Sequence, residues 1–255
     1  MTTANDYRVP ALERGLQIIE LFHAGQRQLS TQEMADALGV SVSALYRIVQ
    51  TLNQMGYLHK LGKNRYELGS AVVSAGFRYL ASRDIVDIAQ PHLNALRDRT
   101  SLSCHLSIRQ QTDSLYIYRA FADQRLSVNI PIGTRIPCHA SAMGRVLLCA
   151  LSPSELDTLY QQVRLDDVPG DAPKTLPALR QLLIEDAERG WVMHGSDYST
   201  AIATAIRNHH NEIVAAINLS APEAVLAEPA TQAAYREELL LTADRISAEL
   251  GADVR

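Results

Sequence analysis

The sequence is poor in cysteine, and the few cysteines it has are not paired. Its 255 residues include only Cys104, Cys138 and Cys149, with no Cys-x-x-Cys spacing among them. An odd number of unpaired thiols favours a reducing compartment over a disulfide framework. The spacing also lacks the ligand pattern of a structural zinc site, so we expect neither a metal nor a cofactor.

Long hydrophobic runs are also missing. The longest, Val146–Leu151, is far shorter than the ~20 apolar residues that span a bilayer. The N-terminal residues MTTANDYRVPALERG lack the cationic and then apolar order of a secretion signal. We therefore expect a soluble, cytoplasmic protein with no membrane partner.

A strong excess of one charge is absent as well. The net charge of -4 argues against a uniformly basic coat that binds nucleic acid. Over residues 1–67, however, seven Lys and Arg against six Asp and Glu give +1, so the remainder carries -5. One helix in a DNA groove needs few cations, so a local nucleic-acid contact remains compatible with this composition.

The clearest local pattern begins at Ser30. Ser30 and Glu33 have the spacing of a capping box, and Gly39 can end the short helix that follows. Ser41 or Ser43 can cap the next helix. The apolar residues of that second helix recur at spacings of three and four and predict one buried stripe: Leu45, Ile48, Val49 and Leu52.

The opposite face of this second helix carries the side chains that a DNA groove would meet. Two short helices joined by a glycine-containing turn are typical of a helix-turn-helix unit. Arg47 can pair with guanine or with phosphate, and Gln50 with adenine. The outward residues that we expect to contact DNA are Ser41, Ser43, Ala44, Tyr46, Arg47 and Gln50.

A basic hairpin follows the two helices. The segment YLHKLGKNRYEL alternates apolar and polar residues around Gly62-Lys63-Asn64. Lys60, Lys63 and Arg65 lie near its tip, where a wing would touch phosphates or the minor groove. A helix-turn-helix pattern alone is common in ordinary helical domains, and the basic hairpin is what favours DNA binding.

The chain divides into three segments by pattern. The pattern in residues 1–67 predicts a winged helix-turn-helix domain, with a further helix from about Pro10. Residues 68–83 are rich in small residues and predict a helix that serves as a linker, a dimer contact or both. Residues 84–255 are expected to form a separate domain.

This third segment mixes helical and strand patterns. An α+β fold with a ligand pocket between sheet and loops is therefore expected. The predicted helices are Ile85–Arg99, Ala140–Leu151, Leu176–Glu188 and Thr231–Leu250, with a short one from Pro153 and a surface loop from Leu165. The predicted strands are Cys104–Ile108, Leu115–Tyr118, Ser127–Pro131, Trp191–His194, Ala201–Ile206 and Glu212–Leu219.

Several blocks together resemble one protein family over almost the full length. They are VPALERGLQIIELF, the helix-turn-helix, RYELG, IVDIAQPHLNALRDRT, VNIPIGTRIPCHASAMGRVLL, ERGW and VAAINLSAP. The chain resembles the IclR family of bacterial transcription regulators. The VNIPIGTRIPCHASAMGRVLL block is most similar to the subgroup that controls degradation of aromatic compounds such as protocatechuate and catechol.

The resemblance implies a winged helix, a linker helix and a C-terminal effector domain of GAF-like topology, assembled as homodimers or dimers of dimers. The family often has lysine where this chain has Val42. The segment Asp197–Ala203 departs from the family pattern, since it lacks a glycine and an arginine. By resemblance, the effector-binding residues are Gly133, His139, Ala140, Ser141, Asp197, Asn218 and Ser220.

The overall expectation is a regulator that binds a double-stranded DNA operator and responds to a small organic acid, with an aromatic acid as the narrower expectation. The alternative is a small-molecule sensor or enzyme whose N-terminal domain contacts proteins. Cys104 and His105 cannot form a catalytic pair, because neighbours on a strand face opposite sides. His139 and Ser141 either hold a ligand or cap the helix after them. Tyr116 and Tyr118, expected on one face of a strand, either line the pocket or fill the core.

Overall fold

The computed structural model describes residues 8–23, 25–81, 84–123, 130–168, 170–196 and 199–253. The chain forms two compact units, Met1–Ser82 and Arg83–Arg255. Helices and one small sheet make up the first unit, and helices around one large sheet make up the second. The fold is therefore α+β, as the sequence predicts.

The first unit is a winged helix-turn-helix. Its three-stranded antiparallel sheet has the order β1-β3-β2. The sequence does not predict the first of these strands, because two residues are too few to show alternation. The elements are α1 (Pro10–Glu20), β1 (Leu29–Ser30), α2 (Thr31–Leu38), α3 (Val42–Gln54), β2 (Leu58–Leu61), β3 (Arg65–Leu68) and α4 (Ser70–Ala81).

The predicted caps shape the turn between α2 and α3. The Ser30 hydroxyl accepts a hydrogen bond from the Glu33 amide at 3.2 Å, and the Glu33 carboxylate accepts one from the Ser30 amide at 2.6 Å. Gly39 ends α2 in the left-handed region, with φ of 63°. Of the two candidate caps for α3, Ser41 is the one used, since its hydroxyl accepts from the Ala44 amide.

The second unit is built on a six-stranded sheet of order β6-β5-β4-β9-β8-β7. All its strand pairs are antiparallel. The helices are α5 (Asp84–Thr100), α6 (Ala142–Leu148), α7 (Pro153–Tyr160), α8 (Leu176–Arg189) and α9 (Pro229–Glu249). The strands are β4 (Ser103–Gln110), β5 (Asp113–Ala120), β6 (Arg135–Pro137), β7 (Trp191–Ser196), β8 (Ser199–Arg207) and β9 (Ile213–Pro222).

Helices cover both faces of this sheet. Helices α5 and α9 pack on one face, and α6 packs across the other against five of the strands, β4, β5, β7, β8 and β9. Helix α8 packs against α6 and β7. The face under α6 is the one that carries the polar side chains considered below.

Two predicted elements of the second unit differ from the observed ones. The third strand predicted at Ser127–Pro131 is not seen in its described part, where Ile130 and Pro131 lie in coil; the rest of it lies outside the described residues. The next strand is β6 instead. The helix predicted from Ala140 begins only at Ala142, because Cys138–Ala140 form a 3-10 turn and Ser141 caps the helix.

A bulge overturns the expectation that Tyr116 and Tyr118 share a face. Ser107 of β4 pairs with Tyr116, but Leu106 pairs with Tyr118, so Ile117 is an extra residue in β5. The extra residue reverses the alternation. Tyr116 therefore packs in the cluster beneath α6, while the Tyr118 hydroxyl donates to Asn94 of α5 at 3.0 Å.

Candidate functional site

The exposed side of α3 carries most of the residues predicted to read DNA. Ser41, Ser43, Ala44, Tyr46 and Arg47 are all exposed at its N-terminal half, and 56% of Tyr46 is accessible. Leu45 and Val49 on the opposite side are fully buried in the core of the unit. The helix thus presents a polar, cation-bearing face of the kind that enters a major groove.

Gln50 differs from the other predicted DNA contacts. It is half-buried, and its amide nitrogen donates to the hydroxyl of Tyr66 at 3.1 Å. Tyr66 lies in β3 and is only 2% exposed. The bond therefore joins α3 to the wing.

The wing itself is held against the start of α2. Thr31 donates to the side-chain oxygen of Asn64 at 2.8 Å, and Arg65 donates to the carbonyl of Gln28 at 3.0 Å. The Arg65 guanidinium also lies 4.0 Å from the Glu33 carboxylate. Lys60 and Lys63 are exposed. Of the three predicted wing cations, Arg65 is thus partly engaged within the protein.

In the second unit, polar side chains line the sheet face beneath α6. Alternation along β4 and β9 places His105 and Ser107 beside Asn218 and Ser220, and all four are buried. Small residues on the same face, including Ala201, Ala203 and Ala216, pack with Tyr116 and Met143. The surface beneath α6 is therefore apolar with a few polar groups, as in small-molecule sites.

Three of these polar side chains form one hydrogen-bonded chain. The side-chain oxygen of Asn218 lies 3.1 Å from the backbone nitrogen of His105 and 3.0 Å from its Nδ1. The Asn218 amide nitrogen donates to the Ser220 hydroxyl at 2.9 Å. Burial lowers the pKa of His105 to about 4, since the charged ring would be poorly solvated there.

The residues predicted around the 3-10 turn have other contacts. His139 is buried, and its ring meets the Tyr160 ring of α7 edge-on at 5.9 Å. Burial, followed by the nearby charge of Lys174, lowers the pKa of His139. Neither ring nitrogen has a hydrogen-bond partner in the described part of the chain. His139 thus contacts α7, whereas Asn218 and Ser220 lie on the sheet.

The other predicted effector residues are placed as follows. Ser141 caps α6, with its hydroxyl accepting from the Gly144 amide at 3.1 Å. Gly133 lies in a turn with φ of 90°, and its amide donates to the Tyr116 carbonyl at 2.8 Å. Ala140 is half-buried in the 3-10 turn. Asp197, with the start of the segment that departs from the family pattern, lies outside the described residues.

Helix α6 is fixed at two points above the polar face. A Cβ added to Gly144 would lie 2.3 Å from the Cα of Cys138, so only glycine allows this approach. Arg145 donates from Nε and Nη2 to the two carboxylate oxygens of Asp186 of α8, at 2.7 and 2.6 Å. Both side chains of this pair are buried, and Arg189 also donates to Asp186.

His105 is the residue that sequence reasoning missed. In the sequence it stands out only as a neighbour of Cys104, whose buried side chain faces the opposite side of the sheet. Burial raises the pKa of that thiol, which disfavours the thiolate. Alternation in NLS already predicts that Asn218 and Ser220 share one face of their strand, and alternation in SCHLSI predicts the face of His105. Their adjacency, however, depends on the pairing of β4 with β9.

Membrane-spanning helices and metal-binding clusters were considered for the described segments alone. Within them, no helix combines the length and apolar character needed to cross a bilayer. Nor do they bring together three or more His, Cys, Asp or Glu side chains that could hold a metal ion.

Comparison with known proteins covers both units. Residues 11–62 match the model of the IclR helix-turn-helix domain, and residues 77–248 match that of the bacterial transcriptional regulator IclR C-terminal domain. The transcriptional regulator XynR of Escherichia coli K12 is 28% identical over 95% of this chain and 98% of its own length. The Pca regulon regulatory protein of Pseudomonas putida is 27% identical over 82% of this chain and 73% of its own.

Solved structures show the same fold. A transcriptional regulator from Rhodococcus sp. RHA1 matches 95% of this chain and 98% of its own at a TM-score of 0.81 and 28% identity. An IclR homologue from Microbacterium hydrocarbonoxydans, complexed with 4-hydroxybenzoate, matches 94% of this chain and 98% of its own at a TM-score of 0.79 and 21% identity. Because the second family model alone spans more than half of the residues, the chain belongs to the IclR family of bacterial transcriptional regulators.

Proposed function

We propose that this protein is a cytoplasmic, homodimeric transcription regulator whose operator binding changes when a small aromatic acid binds its second unit. Its family and named relatives are regulators of transcription. This argues against the alternative of an enzyme that uses its N-terminal domain for protein contacts. The observation that carries the proposal is the exposed polar face of α3 beside a wing with two outward lysines.

The DNA contacts would divide into two classes. Lys60 and Lys63 of the wing would neutralise phosphates and fix the register of the protein on the duplex. Arg47 and the neighbouring exposed residues of α3 would reach base edges in the major groove. Val42 gives no charge at the start of this helix, so sequence preference there would depend on Ser43 and Ala44.

An operator with two-fold symmetry would need two reading helices. The first unit exposes large apolar side chains on α1, including Leu12 and Leu16, and Met55 at the end of α3. They border an apolar groove of about 390 Å³ between α1 and α3. Such a patch is typical of an association surface. We assign it to a second copy of the chain, with α4 as the linker to the effector unit.

The effector class follows from the sheet face beneath α6. Tyr116, Met143 and several alanines supply apolar surface, and His105, Asn218 and Ser220 supply polar groups. An aromatic ring with polar substituents matches this combination. The similarity to the Pca regulon regulatory protein and to the homologue complexed with 4-hydroxybenzoate supports the same class.

Electrophoretic mobility shifts with the intergenic DNA upstream of the gene test the proposal. Arg47→Ala should weaken binding and, if Arg47 contacts phosphate, should lower the slope of log affinity against log salt by about one. Arg245→Ala removes an exposed arginine from α9 and should leave binding unchanged. Absence of any sequence preference by the wild-type protein at low salt would refute the proposal.

A further inference from the structure

The orientation of the Asn218 amide is determined by a backbone group. The backbone N–H of His105 can only donate, and it points to one side-chain atom of Asn218 at 3.1 Å. That atom must therefore be the amide oxygen. The opposite end of the amide then places its nitrogen 2.9 Å from the Ser220 hydroxyl, where it donates.

This orientation determines where the proton of His105 lies. Nδ1 of His105 is 3.0 Å from the same Asn218 oxygen, which has no proton to give. Nδ1 must therefore carry the hydrogen and donate it. A neutral imidazole has only one N–H, so Nε2 on the other edge of the ring holds a free lone pair.

The ring also stays neutral near pH 7. His105 is 1% exposed, and burial lowers its pKa to about 4. The Tyr116 ring meets it edge-on at a centroid distance of 5.5 Å. Nε2 is consequently an acceptor with no ability to donate. Besides the Tyr116 ring, the guanidinium of Arg119, the cross-strand partner of His105 in β5, also acts on the imidazole.

The neighbouring hydroxyl groups already form hydrogen bonds within the protein. Ser107 donates to the sulfur of Met143 and accepts from Ser114, and the Ser103 hydroxyl accepts from the Ala122 amide. The Ser220 hydroxyl accepts from Asn218 and therefore keeps its own proton to donate. The face thus offers an acceptor at His105 and a donor at Ser220.

We propose that His105 is a specificity-determining residue, which selects effectors that present a hydroxyl to its Nε2. The inference rests on the proposed role of this sheet face in effector binding. A hydroxylated aromatic acid would donate its O–H proton to Nε2. A methoxy group or a carboxylate at the same place would bring a lone pair against a lone pair, and binding should be about ten- to a hundredfold weaker.

The first experiment tests the proton position in the full-length protein. Two-dimensional NMR of protein with 15N-labelled histidine distinguishes the two tautomers, and the His105 signal is identified by its loss in His105→Phe. The expected result is protonation at Nδ1, unchanged from pH 8 to pH 6. Protonation at Nε2, or a charged ring at pH 7, would overturn the inference and leave the proposed function intact.

The second experiment compares three matched probes by calorimetry and thermal shift: 4-hydroxybenzoate, 4-methoxybenzoate and terephthalate. The wild type should prefer 4-hydroxybenzoate by at least about tenfold. His105→Phe keeps a ring against Tyr116 and should lose this preference, whereas His92→Phe, which removes an imidazole from α5, should retain it. If the His105→Phe variant does not fold, the preference of the wild type among the three probes tests the predicted selection for a hydroxyl group.

The outcomes distinguish a failure of the role of His105 from a failure of the proposed aromatic effector. Equal or tighter binding of 4-methoxybenzoate or terephthalate would overturn the role of His105 while supporting an aromatic effector. Failure of all three probes to bind would overturn the proposed aromatic effector, and the inference with it. The DNA-binding part of the proposed function would then still stand on its own test.

Discussion

The side chains of Gln50 in α3 and Tyr66 in β3 are joined by a hydrogen bond of 3.1 Å, which connects α3 to the wing. Tyr66 is buried in the core of the first unit together with Leu45 and Val49. The position of the wing relative to the exposed face of α3 therefore depends on this polar contact as well as on packing.

We predict that Tyr66→Phe weakens operator binding about fivefold, because it removes a partly buried hydrogen bond worth ~1 kcal/mol and keeps the ring. Gln50→Ala should have a similar effect, and the double variant should be no worse than either single one. Binding to operators with single base changes is the measurement. Tyr235→Phe, in α9 of the second unit, serves as a control. If Gln50 reads adenine directly, only its own substitution will relax preference at one base pair.

The buried pair of Arg145 and Asp186 leads to a second prediction. Arg145→Met should lower the free energy of unfolding of the second unit by roughly 3 kcal/mol, because it leaves the Asp186 carboxylate buried with less compensation. Replacing both residues, Arg145→Met with Asp186→Leu, should recover part of the loss. The single tryptophan, Trp191, reports on this unit through its fluorescence during urea unfolding.

Arg164→Met is the matched control for that prediction, since Arg164 forms its ion pairs with Asp166 and Asp167 at the surface. Its unfolding curve should coincide with that of the wild type, because solvent screens such pairs. Equal curves for the variants at Arg145 and Arg164 would show that the buried pair does not stabilise the unit.

The third prediction concerns pH. Burial places the folded-state pKa of His105 at about 4, below the 6.5 of an exposed histidine. The unfolded chain therefore binds more protons than the folded one between these values, so stability is full above about pH 6.5 and falls as the pH drops towards 4. His105 accounts for a loss of unfolding free energy on the order of 3 kcal/mol at most over this pH range.

His105→Phe removes the contribution of His105 to the pH dependence of stability. The fall in unfolding free energy between pH 7 and pH 5, followed by Trp191 fluorescence, should be shallower in this variant than in the wild type. His139 and His194 also have pKa values lowered by burial, so part of the slope should remain. Parallel curves for the two proteins would contradict a neutral, buried His105.

Local chemistry makes the first unit predictable from the sequence. The capping box at Ser30, the glycine after α2 and the apolar stripe of α3 each depend on residues within a few positions of one another. The strand β1 is missed because its pairing partner, Tyr66 with its neighbour Arg65, is far away along the chain. Alternation needs longer segments than this one.

The second unit shows why its site is harder to predict. The bond between His105 and Asn218 spans 113 positions, so no local pattern contains it. The bulge at Ile117 changes the faces of Tyr116 and Tyr118, because a rule of strict alternation assumes an unbroken register. The helices and most strands are predictable, since their periodicity is a property of each segment alone.

Gly144 has a mechanical consequence for any switch in this unit. Because Gly144 of α6 packs against the backbone of Cys138, and Ser141 between them caps the same helix, residues 138–148 form one closely packed piece. The pair of Arg145 and Asp186 links that piece to α8. A ligand that displaces α6 by a fraction of an ångström would therefore also pull on α8, the helix that leads directly into edge strand β7.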